Sequence, residues 1–593
     1  MVAVKLSNFG GMVPAVDDRL LAPNAASEAI NSWLYAGTVK GFQAPVPIHT
    51  LASTGAKKAF RIPIEFYDKD HIPDSYWLEF ENPDTDVIQS PVVSDAFDRF
   101  YWASDTLTPQ YNTKARIAVG DVPFTLGIPG PTVAPGATVV GGVSPVETRA
   151  YVYTRVSAYG EEGPPSPALV LSGNASGSWN LTFTAVGPAA IGRNISFTRI
   201  YRTITGLTGA TAFYFVTDIA VATLTYNDTI PTTTVSGGNI LKSTFYQPPP
   251  ANMAGIISMP NGIVAGFRNN EIVFSEPYLP HAWPPTYAVS VEGQVVGLGV
   301  IGQTLIVCTT GAPYAISGVN PANMAISRMA STEPCLSRGS IVSTPIGVAY
   351  ASPNGVALAV PGQVEVITRK LINKDKWLDQ AEFLNVPTLR AAALNGGYYC
   401  WGSAFGATFD PGAFLPTAFT QEDFAGAFQG AFVDLTDSRV AYTKLENFTA
   451  TFNCYADVWT GETLIIRQGQ VLWLDLGPDR NHDPYLWRSK TLETPDAKNF
   501  GAMRIRFKTL NDTPLLSTAP TVAPVQALAP GQWGLARVYA DDVLKFTREI
   551  RSTGEIFRLP SGFKATYWQV EIEARVELLS VELATTAKEL GSV

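Results

Sequence analysis

Short runs of alternating apolar and polar residues, each ended by Gly, Pro or Asn, recur along most of this 593-residue chain. A period of two sends successive side chains to opposite faces and calls for a sheet; a helix would smear the same pattern around its surface. Gly262-Ile263-Val264-Ala265-Gly266-Phe267 and Glu271-Ile272-Val273-Phe274-Ser275 flank the turn Arg268-Asn269-Asn270. Val295–Leu298 and Leu305–Cys308 flank Gly302-Gln303 in the same way. Gly347–Tyr350 and Val356–Val360 enclose Pro353-Asn354-Gly355, a strong hairpin signal. Such hairpins continue to about Lys508 and suit the blades of a propeller, although no sharp repeat and no tryptophan-aspartate or kelch signature accompanies them.

The pattern divides the chain into five stretches. Residues 1–50 form an N-terminal arm with one short helix expected from Ala25 to Leu34, where Ile30, Trp33 and Leu34 fall at helical spacing. Residues 51–138 begin a propeller-like β domain, with strands at Ala59–Ile64, Tyr76–Phe80 and Phe97–Trp102. Residues 139–236 read as an inserted sandwich: strands such as Tyr151–Ser157, Trp179–Thr184 and Phe197–Arg202 follow at roughly ten-residue spacing. The turn Gly160–Pro167 must carry the chain out of its sheet. Only 12 charged residues lie between Ile117 and Ala265, in a chain whose charged fraction is already just 16%, against roughly 25% for average proteins. Residues 237–510 resume the propeller-like domain, interrupted by a helical stretch around Leu371–Phe383, and residues 511–593 close the body with further strands. The expected fold class is mainly β: a β-propeller-like body with an inserted fibronectin type III/Ig-like sandwich and few short helices.

Charge and hydropathy remove several function classes. The net charge of −9 lacks the basic excess of a protein that grips nucleic acid. No apolar leader follows Met1, and the longest apolar stretch, Val295–Cys308, is too short to span a bilayer and is interrupted by three glycines. A soluble chain with no membrane segment is expected. The four cysteines, Cys308, Cys335, Cys400 and Cys454, are scattered and read as buried free thiols of a reducing compartment.

Catalytic signals are thin. His49, His71, His281 and His482 lie far apart, so no local zinc pair forms, and no Gly-x-Ser-x-Gly elbow marks a nucleophile. Gly237–Ser243 ends like a phosphate loop but lacks the glycine before its lysine, and reads as an ordinary loop. Asp475, Asp479 and Asp483 offer oxygen ligands for a cation, yet Arg480 competes for them; a solvated turn is the default there, as it is for Asp68-Lys69-Asp70 with Asp74. The aromatic runs Phe100-Tyr101-Trp102 and Tyr398-Tyr399-Cys400-Trp401 read as sheet core or interface before any stacking role. No catalytic, cofactor-binding or metal-ligating residue is assigned, no cofactor is expected, and the chain is not expected to be an enzyme.

Several stretches resemble the tail nozzle proteins of short-tailed bacteriophages, also called tail tubular protein B. Phe9-Gly10-Gly11-Met12-Val13-Pro14, Leu21-Ala22-Pro23, Asn31 and Gly37 look like that family's start, and Tyr151–Pro167 is similar to its inserted sandwich. Phe274-Ser275-Glu276-Pro277, Gly311-Ala312-Pro313-Tyr314 and Tyr350-Ala351-Ser352-Pro353-Asn354-Gly355 look like its propeller hairpins. Phe557–Gly562 with Tyr567-Trp568 resembles its C-terminal strands. The resemblance covers most of the chain. It implies a structural virion protein: a homohexameric ring below the portal and adaptor, its N-terminal arm touching adaptor or ring, with tail fibres or spikes as neighbours. The ring would seal packaged double-stranded DNA and conduct it during ejection without sequence-specific binding. It would lie in the virion tail after assembly in the host cytoplasm. An acidic chain suits that role, because each phosphate contact would brake the moving duplex. The alternative is a carbohydrate-binding or carbohydrate-cleaving propeller, such as a receptor-binding tail protein, which needs clustered carboxylates or exposed tryptophans in one concave site. A cell-surface adhesin is a third class, disfavoured by the missing leader.

Overall fold

The computed structural model describes residues 3–64, 74–143, 145–204, 212–378, 386–394, 397–403, 428–433, 442–445, 451–474, 482–510 and 532–592. The architecture is mainly β, with many small antiparallel sheets and three short α-helices among the described residues, Lys114–Ala118, Thr232–Val235 and Lys374–Leu378. The chain forms two compact units, one of residues 76–78 and 84–329, the other of residues 1–75, 79–83 and 330–593.

The unit of residues 84–329 contains three four-stranded meanders, each built from strands consecutive in sequence: Asp86–Gln89 to Phe124–Thr125, Gly255–Ser258 to Val289–Ser290, and Val295–Ile301 to Ala325–Arg328. Neighbouring meanders share cores. Tyr101 and Tyr111 of the first bury with Ile256, Val264 and Val273 of the second, whose other face buries Ile263, Ile272 and Phe274 with Leu305, Val307 and Ile316 of the third. The expected hairpins at 262–275 and 295–308 are present, with Ala265 opposite Phe274 and Leu298 opposite Val307.

Between the first and second meanders lies the insert. Its strands Gly136–Val140, Ser178–Thr182 and Thr225–Asp228 form one sheet. Leu169–Asn174, Val146–Ser157, Ile195–Thr203 and Phe213–Ala220 form the other. Both sheets contribute to a core of Tyr151, Tyr153, Trp179, Leu181, Ile200 and Val216. The alternation that marked Tyr151–Ser157 is realised against Ile195–Thr203, with Tyr151 opposite Arg202 and Tyr153 opposite Ile200.

The other unit carries a four-stranded meander from Val342–Thr344 to Gln363–Val366, a second four-stranded sheet, and two larger sheets. The second four-stranded sheet joins Thr451–Ala456, Thr463–Arg467 and Gln470–Trp473 to Val46–Thr50 from the N-terminal region, with Val471 opposite His49. A ten-stranded sheet includes Ala26–Ile30, Tyr485–Ser489, Gly534–Ala540, Val543–Glu549 and Ala565–Ala574. A six-stranded sheet joins Ala3–Leu6, Ser32–Tyr35, Thr38–Gly41, Ala502–Lys508, Ile556–Arg558 and Glu577–Ala584. These two sheets share one core, in which Val538, Val570 and Ile572 meet Met503, Ile505, Val581 and Leu583.

Two helix expectations need revision. Ala25–Leu34 is not a helix: Ala26–Ile30 pairs with Tyr485–Ser489, and Ser32–Tyr35 forms a hairpin with Thr38–Gly41. Asn31 between them has φ of +50°, a left-handed conformation that no helix interior accommodates, so the apparent 3.6 spacing of Ile30, Trp33 and Leu34 is an accident of two strands bent at one residue. The hairpin also packs closely: a Cβ on Gly41 would stand 1.8 Å from the Asp483 carbonyl oxygen, which makes that glycine obligatory. Of the stretch Leu371–Phe383, only Lys374–Leu378 is helical, and residues 379–383 lie outside the described residues.

Candidate functional site

The residues singled out by the sequence do not converge. His49 Nε2 lies 2.9 Å from Glu79 Oε1, while the amides of Ala52 and Ser53 donate to the same carboxylate. Burial works against ionisation of Glu79, but those hydrogen bonds outweigh it and hold the carboxyl below its usual range. His281 is buried, edge-on to Tyr246, and burial depresses its imidazole. His482 is buried in a bridge with Gln43. His71, Asp68, Asp70, Asp475 and Asp479 lie outside the described residues. Burial pushes the Asp483 carboxyl up against the pull of Arg575, Arg467 and His482. Gly237–Ser243 lies along the edge strand Phe213–Ala220, whose Phe215 amide donates to the Asn239 carbonyl and whose Phe213 carbonyl accepts from Leu241. Phe100, Tyr101, Trp102, Tyr398, Tyr399 and Cys400 are core residues, and the four cysteines are buried thiols outside any disulfide. Among the described residues no group of three His, Cys, Asp or Glu side chains is placed to hold a metal ion, and no helix is long and apolar enough to cross a membrane.

A dense polar cluster lies at the turn Gly160–Pro167. It leaves its strand as expected but then folds inward. Glu161 is buried and accepts from Arg99 Nη1 at 2.7 Å, Tyr111 Oη at 3.0 Å and Ser157 Oγ at 3.2 Å. Arg99 also donates through Nε to Asp95 at 2.8 Å. Burial disfavours the Asp95 anion, but Arg99 and Ser90 more than offset it and hold that carboxyl below its usual range. The Tyr111 hydroxyl is pushed far up, first by burial and then by Glu161. Glu162 accepts from Thr154 at 2.7 Å, Tyr201 at 2.9 Å and Arg199 at 3.1 Å. The two glutamates therefore tie the insert to the Arg99–Ser104 strand and to its own second sheet. Their hydrogen-bonding capacity is spent on protein groups, which suits a joint better than a reaction centre. Consecutive glutamates in a turn gave no signal of this, because their arginine and tyrosine partners come from strands tens of residues away.

The insert continues the same theme. Arg202 and Asp228, both fully buried, meet through Nη1 and Oδ2 at 2.5 Å, and Tyr151 Oη donates to the same oxygen at 2.7 Å. Arg149 stacks over Trp179 with its guanidinium 4.3 Å from the ring centroid and pairs with Glu147. Five of the twelve charged side chains counted in this low-charge region, Arg149, Arg155, Glu161, Arg202 and Asp228, are buried.

The outer faces of the two larger sheets differ. Across the ten-stranded sheet runs a ladder: Glu28 lies 3.8 Å from Arg488, Arg488 Nε donates to Glu571 at 2.7 Å, and Arg537 bridges Glu571 at 2.5 Å and Glu573 at 2.7 Å. Each arginine there stands between two carboxylates. On the six-stranded sheet, Arg504, Arg506 and Lys508 alternate with the buried Met503, Ile505 and Phe507 and so point away from the core. Arg558 stands opposite Ala502, and Lys5 opposite Glu582. The carboxylates on this face are Glu582, which pairs with Arg504 and lies 3.6 Å from Arg506, and Glu577, opposite Lys508. Leu590 covers Ala502 and Ala584 at one end, and the Arg506 side chain beyond it is 52% exposed.

No family model matches the chain, and no curated protein matches it. Among solved structures, the crystal structure of the N-terminal domain of Nup159 is similar over 46% of this chain and 86% of that one, with 9% identity and a TM-score of 0.24. A likeness that weak bears on neither fold nor function.

Proposed function

We propose that the chain is a structural, non-catalytic subunit of a phage tail nozzle, a closed ring that holds and conducts double-stranded DNA. The observation that carries the reading is how the N-terminal region is sewn into sheets formed by the far end of the chain. Ala3–Leu6 pairs with Glu577–Ala584, Ala26–Ile30 with Tyr485–Ser489, and Val46–Thr50 with Gln470–Trp473. A wall that contains pressurised DNA must not unravel, and antiparallel ladders that clamp both regions of the chain raise the barrier to forced opening.

The motifs that carry the resemblance are spent on internal joints, one long-range and one local. Trp487 donates to the Gly10 carbonyl at 3.1 Å and packs edge-on to Phe9 at 4.8 Å. In the Tyr350–Gly355 turn, Tyr350, Ser352 and Asn354 all donate to Glu333. Four-stranded meanders with shared cores support a propeller-like body. Two sheets of three and four strands around Trp179 support the fibronectin type III/Ig-like reading of the insert. The portal and adaptor, tail fibres or spikes, and the passing duplex are the partners this reading brings, in the virion tail.

Native mass measurement and imaging test it. A hexamer with an axial channel is expected, alone or after addition of the adaptor ring; a strict monomer in both conditions would overturn the proposal. Incubated with host polysaccharides, the protein should release no product above background. Turnover abolished by mutating one or two carboxylates would install the carbohydrate-cleaving alternative.

A further inference from the structure

We infer that the outer face of the six-stranded sheet contacts the phosphate backbone of duplex DNA. The assignment deepens the conduit reading and rests on it. The chain as a whole has a net charge of −9, yet this face presents Lys5, Arg504, Arg506, Lys508 and Arg558 against Glu577 and Glu582, an excess of cations on a surface that the rest of the molecule would make acidic. The arrangement is a product of the sheet. Alternate residues of one strand share a face and repeat at about 6.7 Å, close to two axial charge steps of a single DNA strand, about 3.4 Å each.

Glu582 has a specific part in this. It is buried beneath the cations, accepts from Arg504 Nε at 2.5 Å and fixes that guanidinium against the sheet. Arg506 lies a full ångström farther from the same carboxylate and remains half exposed. The outward positions of Ala502–Lys508 hold no aromatic side chain, so this strand offers charge without a stacking platform, the chemistry of phosphate contact and not of base recognition. The ladder on the ten-stranded sheet gives the contrast: arginines of the same type lie between paired glutamates and present little net charge. An excess of about three cations is a weak hold. It centres a duplex and lets it slide, because each contact contributes only its own counterion release.

The test uses the full chain and a labelled duplex of random sequence, followed by fluorescence anisotropy from 50 to 200 mM salt. With Arg506, Lys508 and Arg558 as the contacts, log affinity should fall against log salt with a slope near −2.7, a loss of about 40-fold over that range. The Arg506→Ser/Lys508→Ser/Arg558→Ser variant should lose that slope, and each single substitution should remove about 0.9 of it; the singles keep the test decisive if the triple variant misfolds. A control with Lys242→Ser, Lys370→Ser and Lys374→Ser, exposed lysines elsewhere, should keep the slope. An unchanged slope in the triple and single variants overturns the assignment. So does displacement of the duplex by polyglutamate as readily as by unlabelled duplex, which would give the face to an acidic protein. Ring imaging separates the two claims. A ring whose duplex affinity ignores the substitutions keeps the conduit and loses the face; a strict monomer whose salt slope follows them keeps the face and loses the conduit.

Discussion

The insert and the C-terminal pair of sheets are both two β layers around a core that includes aromatic side chains, and they put their arginines in different places. In the insert Arg202 and Asp228 have no exposure at all, and Arg149 is closed over by Trp179. In the C-terminal pair the cores are apolar, and the arginines lie on the two outer faces. A low count of charged residues therefore says little about surface chemistry. The region poorest in charge uses what it has as internal fastening, which leaves Val140, Val143, Val146 and Val170 on its outside, each more than 60% exposed. Buried charge must be paired, because a lone buried ion costs several kcal/mol, whereas a charge at a sheet face can be left for a partner.

Four experiments press on that contrast, in descending order of effect. Asp228→Ala removes the carboxylate from a fully buried Arg202 and should cost about 3–5 kcal/mol. Amide exchange should show strands Val146–Ser157 and Ile195–Thr203 losing protection while Gly534–Ala540 keeps it. Equal loss in both regions would erase the distinction. Glu571→Gln weakens the ladder, but Arg488 and Arg537 reach water with side chains 30% and 23% exposed, so a smaller cost of about 1.5 kcal/mol is expected in chemical denaturation. A cost matching that of Asp228→Ala would place the ladder with the buried pairs.

The third experiment is a pH series. His281, beside the Glu161–Glu162 turn, has an imidazole depressed by burial below its ordinary value of 6.5. Below 6.5 the unfolded chain takes up a proton that the folded chain refuses. Stability therefore falls as pH drops from that point toward the lowered folded value, by no more than about 1.4 kcal/mol per pH unit. His281→Phe should flatten this stretch for the insert strands; an unchanged slope would take the effect away from His281. The smallest effect belongs to Arg506→Ser with Lys508→Ser, which should change stability by under about 0.5 kcal/mol in thermal melts, since neither side chain supports the core. A larger loss would make that face structural.

The sheet character was legible wherever one strand and its neighbour lie close in sequence. The hairpins at 262–275, 295–308 and 347–360 pair as their turns require. Alternation also marked Tyr151–Ser157, and the outward cations of Ala502–Lys508 are visible in the sequence as every second residue. What stayed hidden depends on partners far along the chain. Tyr151 meets Asp228 across 77 positions, and Arg61 meets Asp457 across 396, so nothing local distinguishes these charges from solvated ones. Ala25–Leu34 misled for the same reason: its hydrogen bonds go to Tyr485–Ser489 and to Thr38–Gly41, and long-range pairing overrode local spacing. The basic face needed Lys5 and Arg558 from two other strands before its charge became apparent.

The suture between early and late strands also sets a clock. Gly10 and Trp487, joined by a hydrogen bond, are 477 positions apart, and at about 5–20 residues per second a ribosome takes about 25 to 95 s to cover that distance. For that interval Ala3–Leu6, Ala26–Ile30 and Val46–Thr50 have been made and their partners have not, so these strands wait with open edges, as chaperone clients or aggregation risks. The meanders built from consecutive strands can close in the meantime. Folding of the N-terminal region therefore reports that translation has passed residue 584, and chains abandoned before then cannot complete it.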